Sequence, residues 1–314
     1  MYGGSLKSAW KANRGVVQNA LTFFRTQLTD MLREAVRRYR RRRLGIGNYQ
    51  TWEYLTPDEI LADTRCIFVA STGRCGTAML TALLEHDVRN RVWHKPAAEL
   101  GYPSTISYRD FHDQPDRIAE LVFHARFDMI SDAGLRGYRY VETNNRITFY
   151  LPGLLRLLPH AKVIHLIRDP FAFISSGVRR KYYQNSLGDL SRIRPRPGDA
   201  HSDDWAQWSP QVRCGWLWNE TNQWIEDAVT ELPANQLLRL RAEDLFHDPA
   251  TARGVLDFCE TEAPERLIRK LQHNPVNAQG GRGLQYSDFS EADRMLIRRL
   301  TPLRKKYGYS LPDE

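Results

Sequence analysis

A short loop with two glycines and an arginine is the first feature of the sequence that could do chemistry. It runs from Ser71 to Thr77, between the apolar run Cys66–Ala70 and a helical pattern at residues 78–86. Glycines let the backbone approach an anion, and the free N–H groups at the start of the following helix point toward it. Arg74 adds a fixed cation with several donors, and Thr77 adds a hydroxyl. We expect this loop to bind phosphate or sulfate.

A second candidate anion site follows another apolar run, Lys162–Ile167. Arg168 comes directly after this run, and Pro170 is suited to the first turn of a helix. Ser176 lies eight residues beyond Arg168, about two helical turns along. Open α/β sheets bind ligands at the carboxyl ends of their strands. We therefore expect a strand-end arginine and a helix-borne serine to converge on one phosphate.

Together these two loops resemble those of the PAPS-dependent sulfotransferases (PAPS is 3′-phosphoadenosine 5′-phosphosulfate). In the first loop Arg74, Gly76 and Thr77 match the family's 5′-phosphosulfate motif, whereas Cys75 and Ala78 replace a serine and a threonine. The second loop resembles the family's 3′-phosphate motif. Later segments also resemble the family, so that the likeness spans roughly residues 65–309; they are Arg241–Leu245, Asp248-Pro249 and Gly280–Gly283.

The resemblance implies a P-loop-like sulfotransferase fold and a set of donor-binding residues. It implies that the 5′ end of PAPS is bound by residues 72–78, and that Arg168, Ser176 and Arg282 contact the 3′-phosphate. The residues implied to bind the 5′ end are Thr72, Gly73, Arg74, Cys75, Gly76, Thr77 and Ala78.

Sulfuryl transfer needs a base for the acceptor, charge stabilisation on the leaving phosphate, and in-line alignment. We assign Arg74 to the leaving group and His94 to the base, because histidine titrates near neutral pH. The stretch around His94 resembles the family's catalytic His-x-Pro segment, although Glu99 is an alternative base. Lys95 could neutralise the migrating group. The reaction requires no metal, and its acceptor is a hydroxyl or amine of a carbohydrate, lipid-linked sugar, peptide or small phenol.

Two alternatives stay open at this stage. One is a kinase that uses Mg·ATP, with Asp169 as a magnesium ligand, but Thr77 stands where the kinase pattern GxxxxGK[ST] has lysine. The other is a non-catalytic member that only binds a nucleotide.

Apolar runs that alternate with helical patterns predict how these loops are positioned. A third run, Gln236–Leu240, joins the two already described, and residues 185–209 form a long loop or lid. Strands that alternate with helices indicate a parallel sheet with helices on its faces. We predict an α/β sulfotransferase domain at residues 59–314, preceded by a basic amphipathic helical arm at residues 1–58.

The arm carries the positive charge of the chain. The net charge is +8, and residues 1–45 hold eleven Lys and Arg side chains against two carboxylates. A basic amphipathic helix can contact an anionic membrane surface, its own domain, or a second copy in a homodimer. We favour packing against protein, since such patterns are common in soluble helices. A nucleic-acid partner is not expected, because no basic surface interleaved with aromatic residues continues into the body.

The number and spacing of the cysteines indicate in which cellular compartment the protein is expected. The four cysteines form no CxxC pair, which is typical of a reducing compartment and not of a disulfide framework; they are Cys66, Cys75, Cys214 and Cys259. No signal peptide or membrane span is predicted. We therefore expect a cytoplasmic location, peripheral at a membrane if the arm binds lipid.

Overall fold

The computed structural model describes residues 27–29, 31–48, 56–273 and 284–313. The chain divides into two compact units, Met1–Asn48 and Tyr49–Glu314, each described by itself. In the first unit, residues 31–43 form helix α1, which ends before Gly45. In the described part of the chain no helix has the length and apolar character needed to cross a bilayer. The predicted boundary at residue 58, the homodimer and the membrane contact stay predictions.

The second unit is built on a five-stranded parallel sheet with the strand order β2-β3-β1-β4-β5. This confirms the predicted α/β class with a parallel sheet flanked by helices. The strands are β1 (Cys66–Ala70), β2 (Asn90–Trp93), β3 (Arg139–Glu142), β4 (Lys162–Ile167) and β5 (Leu237–Arg241). In the β1–β4 register Ala70 pairs with His165, so the chain leaves both central strands at the same edge of the sheet.

Helices cover both faces of this sheet. Every residue of β1 is buried, as expected for a strand with helices on each side. Ile67 and Val69 pack into an apolar cluster with α3, α10 and α11, whereas Ala70 packs with residues of α6 and α8. The helices are α2 (Pro57–Asp63), α3 (Thr77–Leu84), α4 (Gly101–Asp110), α5 (Pro115–Leu135), α6 (Leu151–Leu157), α7 (Pro170–Arg179), α8 (Pro210–Ala228), α9 (Ala242–His247), α10 (Pro249–Phe258), α11 (Glu265–His273), α12 (Glu291–Leu300) and α13 (Leu303–Lys306).

Local signals explain where several elements begin. Thr56 caps α2 and forms a capping box with Glu59. Asp169 caps α7 by accepting a hydrogen bond from the Ala172 amide at 2.7 Å. These caps fix the points at which the chain turns from loop into helix.

Two strands lie where the sequence predicts none. β2 and β3 are short, and each carries charged or polar residues. Arg139 and Glu142 of β3 are nonetheless buried, because Arg139 bonds to Asn90 and Asp87 and Glu142 pairs with Arg126. Tertiary partners therefore permit strand residues that local hydrophobicity would exclude.

Candidate functional site

A cavity of about 790 Å³ lies at the carboxyl edge of the sheet. Residues that follow four strands line it: Gly73–Arg74 after β1, His94–Lys95 after β2, Asn145–Arg146 after β3 and Arg168 after β4. This is the edge at which open α/β sheets bind ligands. Both predicted anion-binding loops therefore open into one space.

The first loop has the backbone of an anion cradle. Gly73, Arg74 and Gly76 all have positive φ, and Gly76 is the N-cap of α3. A Cβ atom on Gly76 would lie 2.5 Å from the Phe246 ring, so only glycine fits there. The start of α3 thus directs N–H groups and the positive end of its dipole toward the cavity.

Hydrogen bonds beneath this loop hold its shape. The Ser71 amide donates to the Thr148 hydroxyl at 3.0 Å, and the Gly73 amide donates to the Ser71 hydroxyl at 3.1 Å. The Cys75 thiol is fully buried and donates to the Gly73 carbonyl at 3.0 Å. Burial raises the pKa of Cys75 to about 11, so it is neutral at ordinary pH. Cys75 therefore stabilises the loop through its hydrogen bond to the Gly73 carbonyl.

The two predicted loops touch each other. Arg168 Nη1 donates to the carbonyl oxygen of Arg74 at 2.6 Å. Arg74 Nε lies 3.4 Å from Ser176 Oγ, a long hydrogen bond between the first loop and α7. The Arg168 carbonyl accepts from Trp218 Nε1 at 2.8 Å, which anchors the second loop to α8. Arg74 therefore contacts both Arg168 and Ser176, whereas the convergence of Arg168 and Ser176 on one phosphate stays a prediction.

The cavity wall is strongly cationic. No aspartate or glutamate is found among the described residues that line it. Burial and the neighbouring Arg180 and Arg168 charges lower the pKa of Arg74 below its ordinary value. Such mutual repulsion is relieved when an anion binds between the guanidinium groups. The lining cations are Arg74, Lys95, Arg146, Arg168, Arg179, Arg180 and Arg192.

His94 is oriented by a cluster of hydroxyls. The Thr81 hydroxyl lies 2.8 Å from the Thr77 carbonyl and 2.7 Å from the Thr143 hydroxyl, which is also 3.4 Å from the Trp93 carbonyl. Thr143 Oγ1 lies 2.9 Å from His94 Nδ1 and accepts a hydrogen bond from it in the tautomer that carries the proton on Nδ1. In that tautomer Nε2 keeps its lone pair for a substrate proton. Partial burial and the Lys95 charge lower the pKa of His94 from its ordinary value, which favours the neutral ring.

The segment after His94 is fixed to a buried ion pair. Arg126 and Glu142 are both fully buried and form two hydrogen bonds, of 2.9 and 3.0 Å. Arg126 also donates to the Ala98 carbonyl at 3.0 Å, and Asn144 donates to the Glu99 carbonyl at 3.2 Å. Glu142 and Asn144 therefore support the backbone that carries His94.

The structure brings most of the predicted site residues together. Nine of them line the cavity: Gly73, Arg74, Gly76, Thr77, Ala78, His94, Lys95, Arg168 and Ser176. Thr72, Cys75 and Glu99 are not among its lining residues, and the Glu99 side chain is exposed. Arg282 lies outside the described residues. The catalytic roles assigned to these residues stay predictions.

Asp169, the magnesium ligand of the kinase alternative, has a structural position. It caps α7, and it is not among the residues that line the cavity. Burial raises the pKa of its carboxyl group. The location of Asp169 therefore does not support its predicted role as a magnesium ligand in a kinase.

Sequence reasoning missed several lining residues that reach the cavity through tertiary packing. Arg146 follows β3, Arg180 directly follows α7, Tyr182 lies between α7 and the long loop, and Phe246 comes from α9. Of these four, only Arg146 could have been found from the sequence, since it follows the polar residues Glu142–Asn145. Its position at the sheet edge could not be predicted, because β3, the strand before it, was not predicted.

Comparison with known proteins gives the same family as the motifs. A family model described as "Sulfotransferase family" matches residues 66–265. None of the curated proteins compared matches the chain.

Solved structures also match the chain, at low identity. A sulfotransferase domain from the curacin biosynthetic pathway is 13% identical, with a TM-score of 0.46 over 79% of this chain and 99% of that one. A sulfotransferase of Mycobacterium avium is 13% identical, with a TM-score of 0.48 over 81% and 80% of the two chains. One from Mycobacterium tuberculosis H37Rv is 15% identical, with a TM-score of 0.45 over 77% and 78%. At these scores the likenesses add nothing to the match of the family model.

Proposed function

The chain belongs to the sulfotransferase family, and on that premise we propose that it transfers a sulfuryl group from PAPS to a hydroxyl or amine of an acceptor. PAPS supplies a sulfuryl group on a phosphate leaving group, together with a 3′-phosphate by which the nucleotide can be held. The observation that carries the proposal is the contact between the two anion-binding loops, because one ligand with anionic groups at both ends can bridge them.

The residues present fit such a donor. The positive-φ loop Gly73–Gly76 and the start of α3 offer backbone donors to the 5′ end. Arg168 and Ser176 offer a guanidinium and a hydroxyl to the 3′-phosphate. Arg74 contacts both Arg168 and Ser176. Its guanidinium stabilises the negative charge that develops on the 5′-phosphate oxygen of PAP when the bond to sulfur breaks.

His94 is the base in this proposal. Nε2 accepts the acceptor's proton while the acceptor oxygen or nitrogen forms its bond to sulfur and the bond from sulfur to the phosphate oxygen breaks. The products are the sulfated acceptor, PAP and a protonated His94. In this proposal Thr143 orients the ring, and Lys95, which also lines the cavity, attracts the negative sulfuryl oxygens. Glu99 is the weaker candidate, because its side chain does not line the cavity.

The test is ³⁵S transfer from labelled PAPS to a panel of sugars, phenols and peptides, with and without Mg²⁺. We expect transfer without the metal, and a loss of at least about 100-fold in His94→Ala, which is the low end for a general base. The exposed Arg117→Ala, on α5, serves as the control for substitution as such. Undiminished transfer by His94→Ala would remove His94 from the mechanism. Phosphate transfer from Mg·ATP in place of sulfuryl transfer would overturn the function.

A further inference from the structure

The cavity has a second basic wall, distinct from the two loops assigned to the donor. The donor loops follow β1 and β4, whereas His94, Lys95 and Arg146 follow β2 and β3. In the sheet β2 and β3 lie together on the side of β1 away from β4. A base at His94 must reach the acceptor, so the β2–β3 wall is the one that faces it.

Arg146 is the central cation of this wall. Its guanidinium donates to both the carbonyl and the hydroxyl of Ser191, the latter at 2.8 Å. These partners are neutral and use two of the five guanidinium donors. Burial is the main cause that lowers the pKa of Arg146. The wall therefore holds a largely buried positive charge whose described partners leave donors for a ligand.

The long loop brings a second guanidinium beside the first. Arg192 follows Ser191 and lies 3.5 Å from the centroid of the Tyr182 ring. Its Nη1 is also 2.6 Å from a carboxylate oxygen of Asp189. Asp189 in turn accepts from the amides of Tyr183 and Ser186 at 2.8 and 2.9 Å, so the loop that carries Arg192 is fixed. Both Arg192 and Tyr182 line the cavity.

The Glu99 carboxylate acts on the Arg146 charge but does not line the cavity, so a neutral acceptor would leave that charge only partly compensated, which is costly for a buried cation. An anionic group would bind the remaining donors of Arg146, with the Arg192 guanidinium, held in place by Asp189, beside them. We propose that the acceptor is a hydroxyl compound that also carries an oxyanion (phosphate, sulfate or carboxylate), and that Arg146, with Arg192 beside it, binds this group next to His94. This inference rests on the proposed function.

Matched acceptor pairs test the proposal. ³⁵S transfer from PAPS is measured for glucose 6-phosphate, glucose 6-sulfate and glucuronate against glucose, and for 4-hydroxybenzoate against phenol. We expect kcat/KM to be at least about tenfold higher for an anionic member than for its neutral partner. Arg146→Gln should abolish that preference, whereas Arg146→Lys should retain part of it and Arg117→Gln all of it. Equal rates within every pair, or an equal loss for both members in Arg146→Gln, would overturn the proposal.

A binding experiment covers the case in which no panel member is an acceptor. Inorganic sulfate is titrated into the protein saturated with PAP. The proposal predicts a sulfate site whose affinity falls at least about tenfold in Arg146→Gln and is unchanged in Arg117→Gln. Sulfate that binds equally well to Arg146→Gln, or does not bind at all, would contradict it. PAP binding by the unaltered protein is measured alongside: failure there removes the proposed function, whereas PAP binding without this sulfate site removes only the present inference.

Discussion

Arg168 donates a hydrogen bond through Nη1 to the main-chain carbonyl of Arg74 at 2.6 Å. This contact joins the loop after β1 to the loop after β4, although 94 positions separate the two residues in the chain. It is made between two cations, and Arg180 adds a third charge nearby. A cluster of this kind is stable when the backbone holds the cations and an anion compensates them.

Substitution of Arg168 should weaken nucleotide binding more than it weakens the fold. Arg168→Ala removes a charge-assisted contact to phosphate and releases the Arg74 backbone. Each contact to a charged group contributes about 1.5–3 kcal/mol, so we expect PAP affinity to fall roughly 10- to 100-fold or more. Calorimetric titration measures this, with Arg117→Ala as the control. An unchanged Kd for PAP would exclude Arg168 from the donor site.

The pH dependence of transfer should report the pKa of His94. Its neutral form is the base, and partial burial together with Lys95 lowers its pKa from the ordinary histidine value. The neutral fraction rises as pH increases through the folded-state pKa, so the acidic limb of kcat/KM, which reports the free enzyme, should have its midpoint below that of an ordinary histidine. Replacing Lys95 by Met removes a cation that disfavours imidazolium, and should therefore move that midpoint upward. A downward shift, or none, would separate the limb from His94.

Thr143 should act as a positioning residue. Thr143→Val removes the hydroxyl that lies 2.9 Å from His94 Nδ1 but retains the shape of the side chain. We expect kcat to fall about tenfold or more with little change in the Kd for PAP, because the base loses its orientation while the donor loops are intact. Thr143→Ser should restore most of the activity. A change in PAP affinity equal to the change in kcat would indicate a general structural defect instead.

Replacing Gly76 and Gly254 by alanine should change the free energy of unfolding in opposite directions, because the two glycines have different surroundings. Gly76→Ala places a Cβ 2.5 Å from the Phe246 ring at φ +93°, so we expect a loss of at least about 2 kcal/mol in the free energy of unfolding, together with weaker PAP binding. Gly254 lies within α10 with open space around it, and Gly254→Ala should stabilise the fold by about 0.5–1 kcal/mol. Urea unfolding compares the two. Equal effects would contradict the assignment of Gly76 to a required turn.

The buried pair Arg126–Glu142 should be important for stability and for the site. Glu142→Gln leaves the Arg126 charge without a carboxylate in a position with no solvent exposure, which typically costs about 3–5 kcal/mol. Arg126 also donates a hydrogen bond to the Ala98 carbonyl in the segment after His94, so we expect Glu142→Gln to lower the rate of sulfuryl transfer as well. The exposed pair Arg117–Glu120 provides the comparison, and Glu120→Gln should change stability by less than about 1 kcal/mol.

The central strands and both loops could be predicted because their signals are local. β1 and β4 are continuous apolar runs, and the loops after them contain the glycines, the arginines and the serine whose types suggest their chemistry. Arg74 and Arg168 lie close together because parallel strands end at the same edge of a sheet. β2 and β3 could not be predicted, because the charges of Arg139 and Glu142 disguise strands that distant partners complete. Arg180, Tyr182 and Phe246 enter the site only through packing, which leaves no pattern in the sequence.

The most direct measurement compares PAP with 5′-AMP in calorimetric titrations without Mg²⁺. The two ligands differ only in the 3′-phosphate, which Arg168 and Ser176 are proposed to bind. We predict that PAP binds at least about 100-fold more tightly than 5′-AMP, and that Arg168→Ala removes most of this difference. Equal affinities for the two nucleotides, or a difference that survives in Arg168→Ala, would contradict the account.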